Sequence, residues 1–194
     1  ELFDIACNFS SDRFDKDLYD VIERAKNNKV TKFLVVSATL EDTEKVHNIY
    51  QQNLDSCFFT IGVHPHHANE FNSTSSIEMM QLIKEFKPHS VGETGLDFFR
   101  NISTYEEQLF AFEEQIKISI KTGLPLFLHQ RDAHEDFIKI ISKYKNDIPK
   151  AVVHCFTGTQ SELDDYLEMG FYIGLTGWIC DESRNVELRK SLIN

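Results

Sequence analysis

The sequence predicts an α/β fold, a (β/α)8 barrel of the TIM type of which this chain carries about seven strand-and-helix units. Apolar runs alternate with longer amphipathic segments at spacings of roughly 25 to 30 residues, as in βαβ units. The runs are continuously apolar, as strands buried on both faces of a parallel sheet require. An open doubly wound sheet is the alternative, but no GxGxxG motif follows the first predicted strand. With 194 residues and a 41% hydrophobic composition, the chain is expected to form one domain over residues 1–194.

The predicted strands are short segments rich in aliphatic, β-branched and aromatic residues. Most of them run directly into a histidine, an acid or a glycine, which marks the point where the loop begins. They cover residues 2–7, 32–37, 57–63, 89–91, 124–128, 151–153 and 171–175.

The predicted helices are segments in which apolar residues recur every three or four positions, such as Leu18, Val21 and Ala25 in the first. The long fourth helix is introduced by Ser103 and Glu106, whose spacing fits a capping box. The helices cover residues 15–28, 41–53, 76–86, 104–122, 132–144, 161–169 and 182–193.

Composition and charge narrow the classes of function. A net charge of −11 argues against a sequence-independent grip on nucleic acid through a basic face. It does not exclude an enzyme acting on phosphodiesters, because bound divalent cations reverse the local sign of charge. The four cysteines form no CxxC pair and are expected to be free thiols in a reducing compartment. No apolar run is long enough to span a membrane, so we expect an intracellular protein, cytoplasmic or nuclear.

Three residues follow or end predicted strands in equivalent positions: Glu93, His129 and His154. The carboxyl ends of parallel strands meet at one rim of a barrel, so these side chains are expected to lie together. One carboxylate and two neutral imidazoles bind a divalent cation and leave positions open for water or substrate. The pattern therefore predicts a hydrolytic metal site, with Glu93 also serving as a catalytic residue.

Other polar residues are expected at the same rim. His64, His66 and His67 follow the third strand and could orient a phosphate or bind a second ion, although a proline-fixed turn with solvated imidazoles is the simpler alternative. Arg131 and Asp132 follow the fifth strand and could contact a phosphate, although an acid at a helix start is often only a cap. We assign a catalytic role to His64, and substrate contacts to His64, His66, Arg131 and Asp132.

Five segments of the chain carry distinctive motifs: GVHPH (62–66), VGETGLD (91–97), LHQRDAHE (128–135), VHCFTG (153–158) and YIGLTGWICDE (172–182). Together they resemble the TatD family of metal-dependent deoxyribonucleases, over essentially the whole chain and in family order. The resemblance implies a barrel of the metallo-dependent hydrolase superfamily, divalent cations, and hydrolysis of DNA phosphodiesters, commonly in the 3′ to 5′ direction. It also implies that Glu93 is a metal-bridging carboxylate and that His129 and His154 are metal ligands.

The chain departs from the family pattern in two places. Many members carry a His-x-His pair after the aspartate of the first strand, whereas Ala6 and Asn8 follow Asp4 here. The branch formed by TatD proper and the eukaryotic TatD-domain proteins shares that replacement, and this chain resembles it most. The eighth strand with its aspartate is also missing, so we expect a part of a longer protein, with little activity of its own and two open sheet edges.

The leading function is a divalent-metal-dependent deoxyribonuclease, a 3′–5′ exonuclease that uses metal-activated water on DNA. Mg²⁺ is the expected ion, with Mn²⁺ or Zn²⁺ as alternatives and one or two ions per site. Two other functions remain open: an acyl or amide hydrolase acting on a small molecule or tRNA, and an inactive truncated binding module. Phosphate-directed groups around His64, His66 and Arg131 would indicate the nuclease, and an enclosed small pocket would indicate the other hydrolase. Metal affinity separates both hydrolases from the binding module. The oligomeric state stays open.

Overall fold

The computed structural model describes residues 1–182 and 186–192. Seven strands form one parallel sheet in which each strand pairs with the next along the chain. This uninterrupted order confirms the predicted barrel topology and contradicts the doubly wound alternative, whose strand order reverses at a switch point. The strands are β1 (Leu2–Cys7), β2 (Val30–Val35), β3 (Cys57–Ile61), β4 (Ser90–Asp97), β5 (Leu126–Arg131), β6 (Ala151–Val153) and β7 (Tyr172–Ile173).

A helix follows each strand, as predicted, with boundaries that mostly lie within three residues of the expected ones. The capping box of the fourth helix is formed by Thr104 and Glu107, one residue later than predicted. The last predicted helix is only partly covered, because residues 183–185 and 193 lie outside the described residues. The helices are α1 (Leu18–Asn27), α2 (Thr43–Gln52), α3 (Ser73–Phe86), α4 (Tyr105–Thr122), α5 (His134–Ser142), α6 (Gln160–Glu168) and α7 (Val186–Ser191).

Strand β4 is longer than predicted, and the prediction that Glu93 lies in a loop is wrong. Residues 92 to 97 continue the strand, and residues 94 to 97 pair with β5 after a register irregularity between Val91 and Thr94. Gly92 and Gly95 make this possible, since both adopt φ near +145°, a region that favours glycine. A Cβ at Gly95 would overlap the carbonyl oxygen of His129. The two strands therefore approach closely at the level of the site.

The apolar side chains form two layers, one on each face of the sheet. The outer layer packs the sheet against the helices and includes Phe59, Phe112 and Phe137, all fully buried. The inner layer is small and centres on Leu34 and Phe127. Beside it lies a cavity of about 470 Å³ lined by residues of all seven strands, so the sheet curls around it as a barrel wall.

No pairing joins β1 to β7 within residues 1–182 and 186–192, so the wall is curled without being closed there. A search of the same residues finds no helix with the length and apolar character needed to cross a membrane.

Two glutamines on one face of α4 hold the ends of two strands. The side chain of Gln115 accepts the backbone N–H of Val63 at 2.8 Å and donates to its carbonyl oxygen at 3.0 Å. Gln108 does the same for Asp97, at 2.8 and 3.2 Å. Both glutamines are buried, at 0% and 1% exposure. Their amides satisfy backbone groups where no neighbouring strand is available, as buried polar groups require.

Candidate active site

Four neighbouring strands bring the predicted site residues to the carboxyl rim of the wall. Glu93 lies on β4 and His129 on β5, while His154 directly follows β6. His64 follows β3 and caps a short 3-10 helix. All four line an open cleft of about 1070 Å³. The residues that the sequence grouped by strand position are therefore neighbours in space.

Three imidazoles converge on one carboxylate oxygen. Oε1 of Glu93 lies 2.6 Å from Nε2 of His154, 3.1 Å from Nδ1 of His129 and 3.4 Å from Nε2 of His64. Glu93 is only 8% exposed, so it meets these rings away from bulk water. Together with Asp97, which contacts His129 from the other side, these four residues are called the Glu93 cluster below.

Sequence reasoning assigned no role to Asp97, which is 1% exposed. Its Oδ2 lies 2.8 Å from Nε2 of His66 and 3.2 Å from Nε2 of His129. His129 is thus held between two carboxylates, an arrangement in which a carboxylate orients a metal-binding imidazole. The signal was present in the sequence, because strand residues four apart, such as Glu93 and Asp97, point to the same face.

The carboxylates and rings shift one another's pKa values. Burial alone would raise the pKa of Glu93, but the neighbouring His154 and hydrogen bonds from the three histidines hold it well below its usual range. Burial alone would lower the pKa of His129, but hydrogen bonds to Asp97 and Glu93 raise it to about 9. Burial lowers the pKa of His64. The buried carboxylates of Glu93 and Asp97 are therefore stabilised by positive charge beside them. This suits a site for a cation.

The hydrogen bonds of His64 identify which ring nitrogen carries its proton. The backbone N–H of His66 donates to Nδ1 of His64 at 3.1 Å. Nδ1 is therefore unprotonated, and in the neutral ring the proton is on Nε2. That nitrogen is the one that faces Glu93. His64 is consequently arranged as a hydrogen-bond donor toward the centre of the cluster.

The donor set fits a divalent cation. One ligand atom each from His64, Glu93 and His129 lies within 4.8 Å of the others, and His154 reaches the same carboxylate oxygen. Imidazole nitrogen and carboxylate oxygen are common ligands of such ions. Nδ1 of His154 is buried and meets no hydrogen-bond partner among the described residues. The nitrogen of this ring that faces Glu93 is Nε2, so Nε2 is the atom that would meet an ion beside the carboxylate.

The remaining predicted rim residues are distributed differently. His66 is turned toward Asp97, whereas His67, which also lines the cleft, pairs with Glu70 at 3.2 Å. Asp132 lines the cleft with φ of +53°, so it lies before α5 and is not part of the helix as predicted. Arg131 lines the cleft and stacks on an aromatic ring, a contact that sequence reasoning missed.

A second polar group lines the cleft beside β6 and is called the His134 cluster. Nε2 of His134 lies 2.8 Å from the carboxylate of Asp165, and Nδ1 lies 3.1 Å from the hydroxyl of Tyr166. Gln130 donates to the same hydroxyl at 2.9 Å. These contacts join the end of β5 and the start of α5 to α6. Near the end of β1, Ala6 also lines the cleft, and its methyl group offers no ligand atom there.

A parallel barrel wall with histidines and carboxylates at its carboxyl rim defines a hydrolase-type metallo-barrel, and comparisons with known proteins give the family. The model of the TatD related DNase family matches residues 3–193. The chain belongs to the TatD family.

Curated relatives extend beyond this chain. A protein of Erwinia billingiae named 3′-5′ ssDNA/RNA exonuclease TatD is 40% identical over 189 residues, which are 97% of this chain and 72% of the relative. The protein of the same name from Pectobacterium atrosepticum is 42% identical over 191 residues, covering 98% and 74%. The chain thus spans nearly three quarters of their length.

Solved structures agree with this assignment. The TatD homologue YjjV from Escherichia coli superposes with a TM-score of 0.90 at 25% identity, covering 98% of this chain and 73% of that one. A TatD family hydrolase from Entamoeba histolytica superposes with a TM-score of 0.81 at 30% identity, covering 91% and 65%.

Proposed function

We propose that this chain carries the centre of a metal-dependent nuclease that removes nucleotides from the 3′ end of single-stranded DNA or RNA. Family membership and the names of the curated relatives support this substrate class. The observation that carries the proposal is the convergence of His64, His129 and His154 on the buried carboxylate of Glu93. The cleft above this cluster is open, which suits the end of a strand.

Glu93, His129 and His154 are the residues that would hold the ion. When bound there, a divalent cation supplies Lewis acidity, which polarises a phosphodiester and acidifies water. Asp97 orients His129 through its Nε2 contact, so the ring keeps one fixed direction. Mg²⁺ is the proposed ion, although two imidazoles raise the intrinsic affinity for Mn²⁺ and Zn²⁺, which makes both useful test ions.

His64 is proposed as the second catalytic residue. Its Nδ1 accepts the backbone N–H of His66, so the ring presents an N–H to the cleft. From Nε2 this N–H would donate a hydrogen bond to a phosphate or leaving oxygen in the cleft and so stabilise the negative charge that develops there. Glu93 faces that N–H at 3.4 Å and so orients it toward the place where the ion would lie.

His66, Arg131 and Asp132 are the proposed substrate contacts. All three line the cleft within reach of a strand that enters it. The charge of Arg131 suits a phosphate, while His66 is tied to Asp97 and presents only its exposed edge. His66 and Asp132 therefore contribute less than Arg131 to this proposal.

Degradation of a 5′-labelled single-stranded oligonucleotide tests the function. We expect stepwise shortening from the 3′ end in Mg²⁺ or Mn²⁺, abolished by EDTA and by Glu93→Gln. Glu70→Gln is the matched control, because Glu70 is an exposed carboxylate that pairs only with His67 among the described residues. Shortening that survives both EDTA and Glu93→Gln would contradict the proposal. Hydrolysis of acyl or amide substrates with no action on the oligonucleotide would replace it with the other hydrolase function.

A further inference from the structure

The loop after β4 places an exposed aromatic ring beside the Glu93 cluster. Phe99 is 60% exposed and lines the same cleft as Glu93 and His129. The guanidinium carbon of Arg131 lies 3.7 Å from the centre of the Phe99 ring. One face of the ring is therefore covered by the guanidinium. The large exposure must belong to the opposite face and the edge, which are open to the cleft.

An open aromatic face at this position suits an unpaired nucleobase as its ligand. Bases of single-stranded nucleic acid stack on such faces, and the contact tolerates every base because each has a π-face. A guanidinium on the back of the ring strengthens the platform through a cation–π contact. A base paired in a duplex is already stacked on its neighbours, so the platform favours unpaired strands.

Two positively charged side chains of the cleft belong to Arg131, which contacts Phe99, and to Arg100, the residue after Phe99 in the chain. Among the described residues that line it, Arg100 and Arg131 are the only arginines or lysines, against five carboxylates. Neither guanidinium pairs with a carboxylate in the parts of the chain that the structure describes. A polyanionic strand is attracted to positive charge. The phosphate backbone of such a strand would thus pass Arg100 and Arg131 on the way to the Glu93 cluster.

The platform is also fixed relative to that cluster. Oδ1 of Asp97 accepts the backbone N–H of Arg100 at 2.8 Å, while its Oδ2 contacts His129. The backbone N–H of Phe98 donates to the carbonyl oxygen of Arg131 at 3.0 Å. One carboxylate therefore holds both the loop and the ring of His129. A strand bound here would meet both parts at a set spacing.

We propose that Phe99, backed by Arg131, is a stacking platform for a base of the single strand whose phosphodiester lies at the Glu93 cluster. This inference rests on the proposed nuclease function and adds a residue that selects unpaired bases without reading their identity. The platform contributes to binding of the strand, and the hydrolytic groups lie elsewhere in the cleft.

Two matched single-stranded oligonucleotides, one with and one without bases at its 3′ end, test the platform. The kinetics of 3′ trimming are measured on an oligonucleotide with normal bases and on one with abasic sugars at its last two 3′ positions. We expect Phe99→Ala to raise KM for the normal strand by roughly 5- to 150-fold, in line with the loss of one stacked base. The abasic strand is expected to show no such change, and Phe99→Trp should restore the normal value. Phe110→Ala is the control, because Phe110 is an exposed ring on α4 that does not line the cleft.

Binding measured without hydrolysis separates this inference from the nuclease function. A phosphorothioate strand carrying 2-aminopurine near its 3′ end should lose fluorescence on binding, and Phe99→Ala should remove most of that quenching. An equal penalty on normal and abasic strands, or no effect of Phe99→Ala on either, would overturn the platform. Either result leaves the nuclease standing if Glu93→Gln still abolishes trimming. Quenching that depends on Phe99 in a protein that trims no strand would retain the platform and reject the nuclease.

Discussion

The Glu93 cluster and the His134 cluster line the same cleft and are built from similar groups, yet their geometry differs in one respect. In the Glu93 cluster, three rings surround one oxygen of a buried carboxylate. In the His134 cluster, one ring lies between a phenol and Asp165, whose side chain is 45% exposed. In the Glu93 cluster, several possible ligand atoms are directed at one point. In the His134 cluster, each hydrogen-bond donor has its own acceptor.

This difference distinguishes a site suited to binding an ion from a hydrogen-bond network that stabilises the fold. A group of ligand atoms directed at one point is completed by an added ion. A chain of matched hydrogen bonds needs no further partner and mainly fixes neighbouring elements, here α5 and α6 against β5. Similar residue types thus serve different purposes in one cleft, and substitutions in the two clusters are expected to affect different measurements.

The largest expected effect comes from Glu93→Gln. Removing the charge at the point where three rings converge should abolish measurable Mn²⁺ binding in calorimetry. It should also lower kcat/KM by roughly 1000-fold or more, because several kcal/mol of charge stabilisation is lost with the ion. Asp165→Asn removes a carboxylate from the other cluster and should leave both measurements unchanged. Equal losses in the two variants would erase the distinction between the clusters.

Asp97→Asn should have the next largest effect. The amide oxygen can still accept the N–H of Arg100, but the negative charge facing His129 is lost. We expect Mn²⁺ affinity to fall by roughly 10- to 100-fold, the usual cost of losing a carboxylate that orients a ligand. Calorimetric titration measures this change, with circular dichroism to confirm the fold. Unchanged affinity would show that Asp97 supports the loop alone.

Tyr166→Phe should affect stability and leave metal binding intact. Tyr166 is fully buried, and without its hydroxyl Gln130 and His134 each lose a hydrogen-bond partner. We expect the free energy of unfolding in urea to fall by about 1–3 kcal/mol. The Mn²⁺ affinity should equal that of the unaltered protein. A weaker affinity at unchanged stability would place the His134 cluster within the metal site.

The smallest effect is expected from Asp165→Asn. Its carboxylate meets His134 at 2.8 Å but is partly exposed to water, and exposed ion pairs contribute about 0–1 kcal/mol. The loss in free energy of unfolding should therefore lie within that range in a urea titration. A loss larger than that of Tyr166→Phe would mean that the phenol is the lesser member of the cluster.

The sequence predicted the order of elements and the residues at the strand ends, because both depend on local pattern. Apolar runs and helical periodicity set the succession of strands and helices. The carboxyl ends of parallel strands share one rim, so Glu93, His129 and His154 could be grouped without coordinates. The same reasoning could not show that His64 and His154 approach the same carboxylate oxygen as His129.

What escaped prediction depends on contacts between elements. The pairing of Phe99 with Arg131 joins residues on two strand ends, and their spacing in sequence gives no sign of it. The length of β4 was underestimated because glycines usually indicate a turn, whereas Gly92 and Gly95 allow a close strand pair here. Asp97 was within a recognised motif, but only the structure shows that its Oδ2 faces the rings of both His66 and His129.

The two glutamines of α4 have a consequence for how the protein tolerates change. Gln108 and Gln115 are seven residues apart, about two turns, and each clasps both backbone groups of one residue, Asp97 or Val63. The helix therefore fixes the distance between Val63, the residue before His64, and Asp97 at the end of β4. Insertions in the intervening surface segments can be absorbed without moving these two points. Related chains can thus diverge in those segments while the spacing across the rim is inherited unchanged.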